Sequence, residues 1–214
     1  MGSGSMDKNK KNIQIDMLQN EAKEKYLDSL PHHLQVLNDA IIAIILTLMA
    51  LEIPLPNGSR ESFFSFIKAV GIFFISFFIV SNFWYEHHKT MSLVRKANKL
   101  ILVMNFLFMA ILSLIPILTK WIMLAPMNNL AILNFGICYF LINLIQLCMH
   151  RLVYTELLNK NSIAIKNVLR IVNIRVFLIF LINILLILLS NVFPTMVMIC
   201  YLSLPCLSLL WPNK

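Results

Sequence analysis

The sequence predicts an all-α, polytopic membrane protein with six transmembrane helices. Three observations carry this. Of 214 residues, 59% are hydrophobic and 13% charged, against about 45–50% and about 25% in soluble domains. The apolar residues come in runs near the ~20 residues that a spanning helix needs. The basic residues gather in alternate connections between those runs. The runs are too long, and alternate too little, for barrel strands.

Residues 1–5 (MGSGS) read as an expression scar, 6–30 as a cytoplasmic N-terminal segment, and 31–214 as the six-helix transmembrane domain. No cleavable signal is expected, because 7–30 is polar and lysine-bearing. In that stretch Asp16, Glu21, Glu24 and Asp28 mix with lysines, and Ile15, Leu18, Ala22 and Tyr26 recur at roughly helical spacing. This predicts a surface helix, with attachment to the membrane interface as the alternative. The spans are expected at about 34–53, 63–85, 100–119, 130–149, 175–190 and 192–210. Pro54, Pro56, Asn57 and Gly58 stop the first; Pro126, Asn128 and Asn129 precede the fourth; Asn191 and Pro194 join the last two. Pro116 and Pro205 fall inside spans and are expected to kink them.

The net charge of +8 is explained by topology. Lys8, Lys10, Lys11, Lys23 and Lys25 precede the first span; Lys89, Arg95, Lys96 and Lys99 follow the second; Arg151, Lys160, Lys166, Arg170 and Arg175 follow the fourth; Lys214 closes the chain. The opposite side receives Arg60, Lys68 and Lys120 alone. Positive residues stay inside, so both termini are expected in the cytoplasm and no nucleic-acid partner is implied. Cys138, Cys148, Cys200 and Cys206 all lie in apolar stretches, which argues against a disulfide framework or a metal site.

The first span, "LNDAIIAIILTLMALEIPLP" (37–56), carries Asp39, Thr47 and Glu52. Helical spacing puts Ala40, Ile44, Thr47 and Leu51 on one stripe and Asp39 on the adjacent face. Periodicity alone makes this an ordinary packing stripe, with Thr47 bonded to its own backbone a turn earlier. An ionisable residue in a span needs a partner. For Asp39 the candidates are His32, His33, Trp84, His87, His88 and Asn105, all toward the cytoplasmic side. A structural hydrogen-bond network is the first reading; a His–Asp proton relay and a metal site are the others. Asn134, Asn143, Gln146, Asn173 and Asn183 are of the kind that hydrogen-bonds between spans. Outside the scar the glycines are Gly58, Gly71 and Gly136, so neither a carbonyl-lined, re-entrant filter loop nor a nucleotide-binding glycine loop is expected.

Three stretches resemble the bacterial branch of the transmembrane-protein-175 family of potassium channels. Asp39, Ala43-Ile44, Thr47-Leu48 and Leu51-Glu52 follow that family's Phe-Ser-Asp and Ala-Ile-x-x-Thr-Leu-x-x-Leu-Glu signature; "SNFWYEHH" (81–88) resembles its Trp-x-x-His-His; "NFLFMAILSLIP" (105–116) resembles its third helix. Here His33, Leu37 and Asn38 stand where the family has Arg, Phe and Ser. The resemblance implies a pore helix that comes first in the chain, lined by Ala40, Ile44, Thr47, Leu48, Leu51 and Glu52. Ile44 and Leu51 would form aliphatic constriction rings, Thr47 a hydroxyl layer, and Glu52 an acidic outer mouth. His33, Asn38, Asp39, Trp84, His87, His88 and Asn105 would form the structural network. It further implies a potassium-preferring cation channel, homotetrameric, in a prokaryotic plasma membrane, in contact with lipids and monovalent cations, with no cofactor beyond permeant K+ and no enzymatic chemistry. The rival is a proton-coupled transporter or membrane-embedded enzyme that uses Asp39 with His87 or His88.

Overall fold

The computed structural model describes residues 3–94, 98–158 and 163–210, with side chains over 12, 14–94, 98–155, 174 and 177–205. The described residues contain helices and no strand: α1 (Ser3–Leu51), α2 (Arg60–Met91), α3 (Lys99–Leu112), α4 (Ile115–Leu124), α5 (Asn129–Leu158), α6 (Ile163–Leu189) and α7 (Pro194–Leu210). Four helical stretches, Gln14–Leu51, Arg60–Met91, Lys99–Leu124 and Asn129–Thr155, are long and apolar enough to cross a membrane; Phe177–Leu189 and Pro194–Pro205 are apolar but shorter.

The ends of the helices follow local chemistry. Ser59 caps α2 by accepting from the Ser62 amide at 3.2 Å, and Asn98 caps α3 by accepting from the Ile101 amide at 2.9 Å. Each satisfies one of the orphan donors that a helix start exposes. Gly58 turns the α1–α2 connection at φ +92°, a backbone region that side chains disfavour. Pro116 does more than kink its span. It has no N–H and its ring meets the carbonyl four residues back, and the helix is interrupted at Ser113–Leu114, which divides this span into α3 and α4.

At the other proline the outcome differs. Pro31 lies inside α1, which runs unbroken from Ser3 to Leu51. The segments 6–30 and 31–51, which the sequence assigns to the polar N-terminal helix and the first span, are thus one helical element. Pro31 and Leu34 are buried at the junction.

The core is built around α5, which packs on α2, α3, α4, α6 and α7. Phe135 and Tyr139 of α5 meet Tyr201 of α7 with ring centroids 5.6 and 5.7 Å apart, and Tyr139 meets Phe83 of α2 at 5.3 Å. α1 is peripheral, held chiefly against α2. Among the span asparagines, Asn134 and Asn143 donate to carbonyls of their own helix at 2.7 Å, whereas Gln146 crosses to the Phe83 carbonyl at 3.4 Å and Asn183 Oδ1 accepts from Tyr201 at 3.3 Å. Cys138, Cys148 and Cys200 are free thiols. Lys8, Lys10, Lys11, Arg95, Lys96, Lys160, Lys166, Arg170, Arg175, Lys214, Asn173 and Cys206 lie outside the described side chains.

The tightest approach in this core is at Gly136, where an added Cβ would stand 2.8 Å from Tyr201 Oη and 3.1 Å from Ile187 Cγ1. Overpacking of this kind costs about 1–3 kcal/mol. Gly136→Ala is expected to lower the melting temperature of the purified protein in detergent, and Tyr201→Phe, which removes the clashing oxygen, to recover part of the loss in the double variant.

Candidate functional site

Two polar clusters and one exposed stripe meet on α1. The first cluster is buried. Asn38 of α1 and Asn105 of α3 exchange side-chain hydrogen bonds, Asn38 Nδ2 to Asn105 Oδ1 at 2.8 Å and Asn105 Nδ2 to Asn38 Oδ1 at 2.9 Å. His87 of α2 brings Nε2 to 2.9 Å from the same Asn105 Oδ1. The same nitrogen lies 3.3 Å from Asn38 Nδ2, so Nε2 serves Asn105 as a donor in one tautomer and Asn38 as an acceptor in the other. The imidazole stacks flat on Phe108 with centroids 4.0 Å apart and planes 5° off parallel. Asn38, His87 and Asn105 are each at most 3% exposed. One side chain from each of the first three helices thus joins in a knot surrounded by apolar residues, where an unmade hydrogen bond is expensive. His87 Nδ1 is buried without a hydrogen-bond partner.

The second cluster lies beside it. Trp84 of α2 donates its indole N–H to Asp39 Oδ1 at 2.7 Å, and the indole contacts the ring of His88 at a centroid distance of 5.4 Å. Asp39 is exposed and bonds neither His87 nor His88. The seven residues grouped by the sequence therefore divide: Asn38, His87 and Asn105 form the buried knot, Asp39, Trp84 and His88 an indole-centred cluster, and His33 stands apart, exposed, with an edge contact to His32 at 6.0 Å. Among the described residues no group of three or more His, Cys, Asp or Glu side chains is arranged to hold a metal.

The stripe is the face of α1 turned away from the bundle. At about 100° per residue, Leu34, Asn38 and Ile42 lie on the opposite side of the helix from Thr47, and they are 3%, 3% and 7% exposed. Ala40, Ile44, Thr47, Leu48 and Leu51 are all exposed, Ile44 to 56%, Leu48 to 57% and Leu51 to 81%. Thr47 Oγ1 donates to the Ile44 carbonyl at 3.0 Å, which leaves its lone pairs open. Glu52, at the end of the stripe, forms a 2.7 Å ion pair with Lys120 of α4.

Three partners escaped the sequence reading. Phe108 beneath His87 looked like any core aromatic. Lys120 was one of three cations on its side of the membrane, with nothing to link it to Glu52. His150 of α5 sits with Nε2 3.2 Å from Thr90 Oγ1 and Nδ1 2.8 Å from its own helix's Gln146 carbonyl; a lone histidine gives no periodic signal.

Residues 33–116 match the model of a family described as the endosomal/lysosomal potassium channel TMEM175. This is the stretch that holds the pore-helix, Trp-x-x-His-His and third-helix motifs, and over it the chain resembles that family. A potassium channel of Chryseobacterium sp. (strain P1-3) is 33% identical over 105 residues, 49% of this chain and 55% of that protein. The endosomal/lysosomal proton channel TMEM175 of Danio rerio is 26% identical over 121 residues, 54% of this chain and 23% of that protein. The matched regions thus span about half or less of the length of these relatives, which are named as ion channels and not as enzymes. The crystal structure of a lysosomal potassium-selective channel TMEM175 homolog from Chamaesiphon minutus superposes with a TM-score of 0.68 at 16% identity, covering 87% of this chain and all of that one. The fold is therefore that of this channel structure.

The two clusters respond differently to substitution. Asn38→Ala strands Asn105 in an apolar setting, a loss of about 1–3 kcal/mol, and is expected to lower the melting temperature. Asp39→Asn keeps an oxygen for the Trp84 indole and should melt near the parent, whereas Asp39→Ala should not. Melting curves of the three variants in one detergent check this.

Proposed function

We propose that the protein is a potassium-preferring cation channel whose pore is lined by α1 from several copies of the chain, four by the family resemblance. The observation that carries this is the unpartnered α1 face: four exposed residues of a membrane-length helix, Ala40, Ile44, Thr47 and Leu51, lie on the side away from the face anchored through Asn38, with the exposed Leu48 at its flank. Copies arranged about an axis would turn the stripes toward one another. Ile44 and Leu51 would then form aliphatic rings able to gate by dewetting, with a hydroxyl ring at Thr47 between them. Preference for K+ over Na+ should be modest, because K+ sheds water more readily but few ligands replace it. Six spans with both termini cytoplasmic, in a prokaryotic plasma membrane, complete the reading; it requires no cofactor. The rival relay through Asp39 and His87 or His88 finds no support in geometry, since Asp39 is engaged by Trp84 instead.

The test is the reversal potential of purified protein in a planar bilayer, with K+ on one side and Na+ on the other. A cation current that favours K+ is expected, with Ile44→Asn increasing conductance by wetting the constriction and Thr47→Ala shifting the reversal potential. Absence of current from folded, oligomeric protein, in both parent and Ile44→Asn, would overturn the reading. A second expectation follows from the outer end. Lys120 neutralises Glu52, so Lys120→Gln should raise cation conductance at low ionic strength, and the gain should fade as salt screens the freed carboxylate.

A further inference from the structure

The N-terminal half of α1 has no role in the reading above. It is long: residues 14–30 at about 1.5 Å per residue extend roughly 25 Å beyond the spanning part. Residues 14–26 are exposed throughout, so the chain's own bundle does not support them. In proteins most helical stability comes from packing of an apolar face. Ile15, Leu18 and Tyr26 are nonetheless 43%, 59% and 59% exposed.

The direction of that apolar face is informative. Eighteen residues make five turns of an α-helix, so positions 18 apart lie one above the other. Ala22 stands 18 residues before Ala40, and Tyr26 stands 18 before Ile44. With Ile15 and Leu18, these side chains fall within an arc of about 80° that also contains Thr47 and Leu51. Because α1 is one helix from Ser3 to Leu51, the face that would line the pore and the apolar face of the N-terminal half form a single continuous stripe. Charged residues flank it: Glu21, Lys25 and Asp28 on one side, Lys23 on the other. Parallel copies side by side would set Glu21 of one toward Lys23 of the next, in the manner of flanking charges beside a helical seam.

We infer that residues 14–29 of α1 form a parallel helical bundle with the same segment of other copies, a cytoplasmic stalk coaxial with the pore and packed through Ile15, Leu18, Ala22 and Tyr26. The occupant of this face is a second copy of the chain, and the inference rests on the α1-lined oligomer proposed above. Residues that pack inside such a bundle should meet their counterparts, and residues on the outer face should not. Asn20 lies on the side opposite Ala22.

Disulfide trapping in native membranes tests this. Full-length protein with Cys138, Cys148, Cys200 and Cys206 replaced by Ala would carry Ala22→Cys, Asn20→Cys or Ala40→Cys, and would be oxidised with copper phenanthroline and run on non-reducing gels. Covalent dimer is expected from Ala22→Cys and Ala40→Cys, at least several-fold above Asn20→Cys. Trapping at Ala40 without trapping at Ala22 overturns the stalk and leaves the pore reading standing. Equal trapping at Ala22 and Asn20 also overturns it, as collision without a defined face. Trapping at Ala22 but not at Ala40 overturns the coaxial stalk: the N-terminal segments would then associate without an α1-lined pore in line with them. Failure at both positions overturns the stalk and the shared axis together.

Discussion

The hydrogen-bonded knot of Asn38, Asn105 and His87 is the constraint on which the arrangement of the first three helices depends. Apolar packing between spans is non-directional, and lipid competes for the same contacts. It cannot by itself choose which face of α1 meets the bundle. Three polar side chains, each with its partner on another helix, can. Rotating α1 by a third of a turn would withdraw Asn38 from Asn105 and leave both amides short of partners in an apolar interior. The knot therefore sets the rotation of α1, and with it the direction of every other α1 side chain, including the stripe about half a turn away.

That constraint explains the division of labour within α1. Its bundle side carries Leu34, Asn38 and Ile42 and is buried; its far side carries Ala40, Ile44, Thr47 and Leu51 and is bare. Asp39, one residue beyond Asn38, necessarily projects near the border between them, where Trp84 can reach it. The carboxylate thus works at the edge of the contact, and the burial is left to neutral amides. This is the less costly arrangement, since a buried ion needs far more compensation than a buried amide. At the other end, the Glu52–Lys120 pair ties α1 to α4, just beyond the interruption imposed by Pro116. α1 is thus held at two levels, by neutral hydrogen bonds at one and by an exposed ion pair at the other.

The family match covers residues 33–116, whereas the likeness to the channel structure covers 87% of the chain. Motif identity is concentrated in the first three helices, which supply the knot, the indole cluster and the stripe. The helices beyond residue 116 lie outside the family match.

What the sequence determined by itself was the helical class, the existence of a stripe on the first span and the group of polar residues near it. All three arise from local periodicity and composition, which any stretch of the chain carries within itself. The division of that group was decided only by tertiary structure: Asn38 rather than Asp39 enters the buried knot, because which of two adjacent residues faces a neighbouring helix depends on the rotation of α1, and that rotation is fixed by side chains 49 and 67 residues away. The pairing of Glu52 with Lys120, 68 residues apart, is of the same kind. So is the continuity of the N-terminal helix with the first span: the polar segment 6–30 and the apolar run after it differ in composition, yet one helix runs through the buried Pro31.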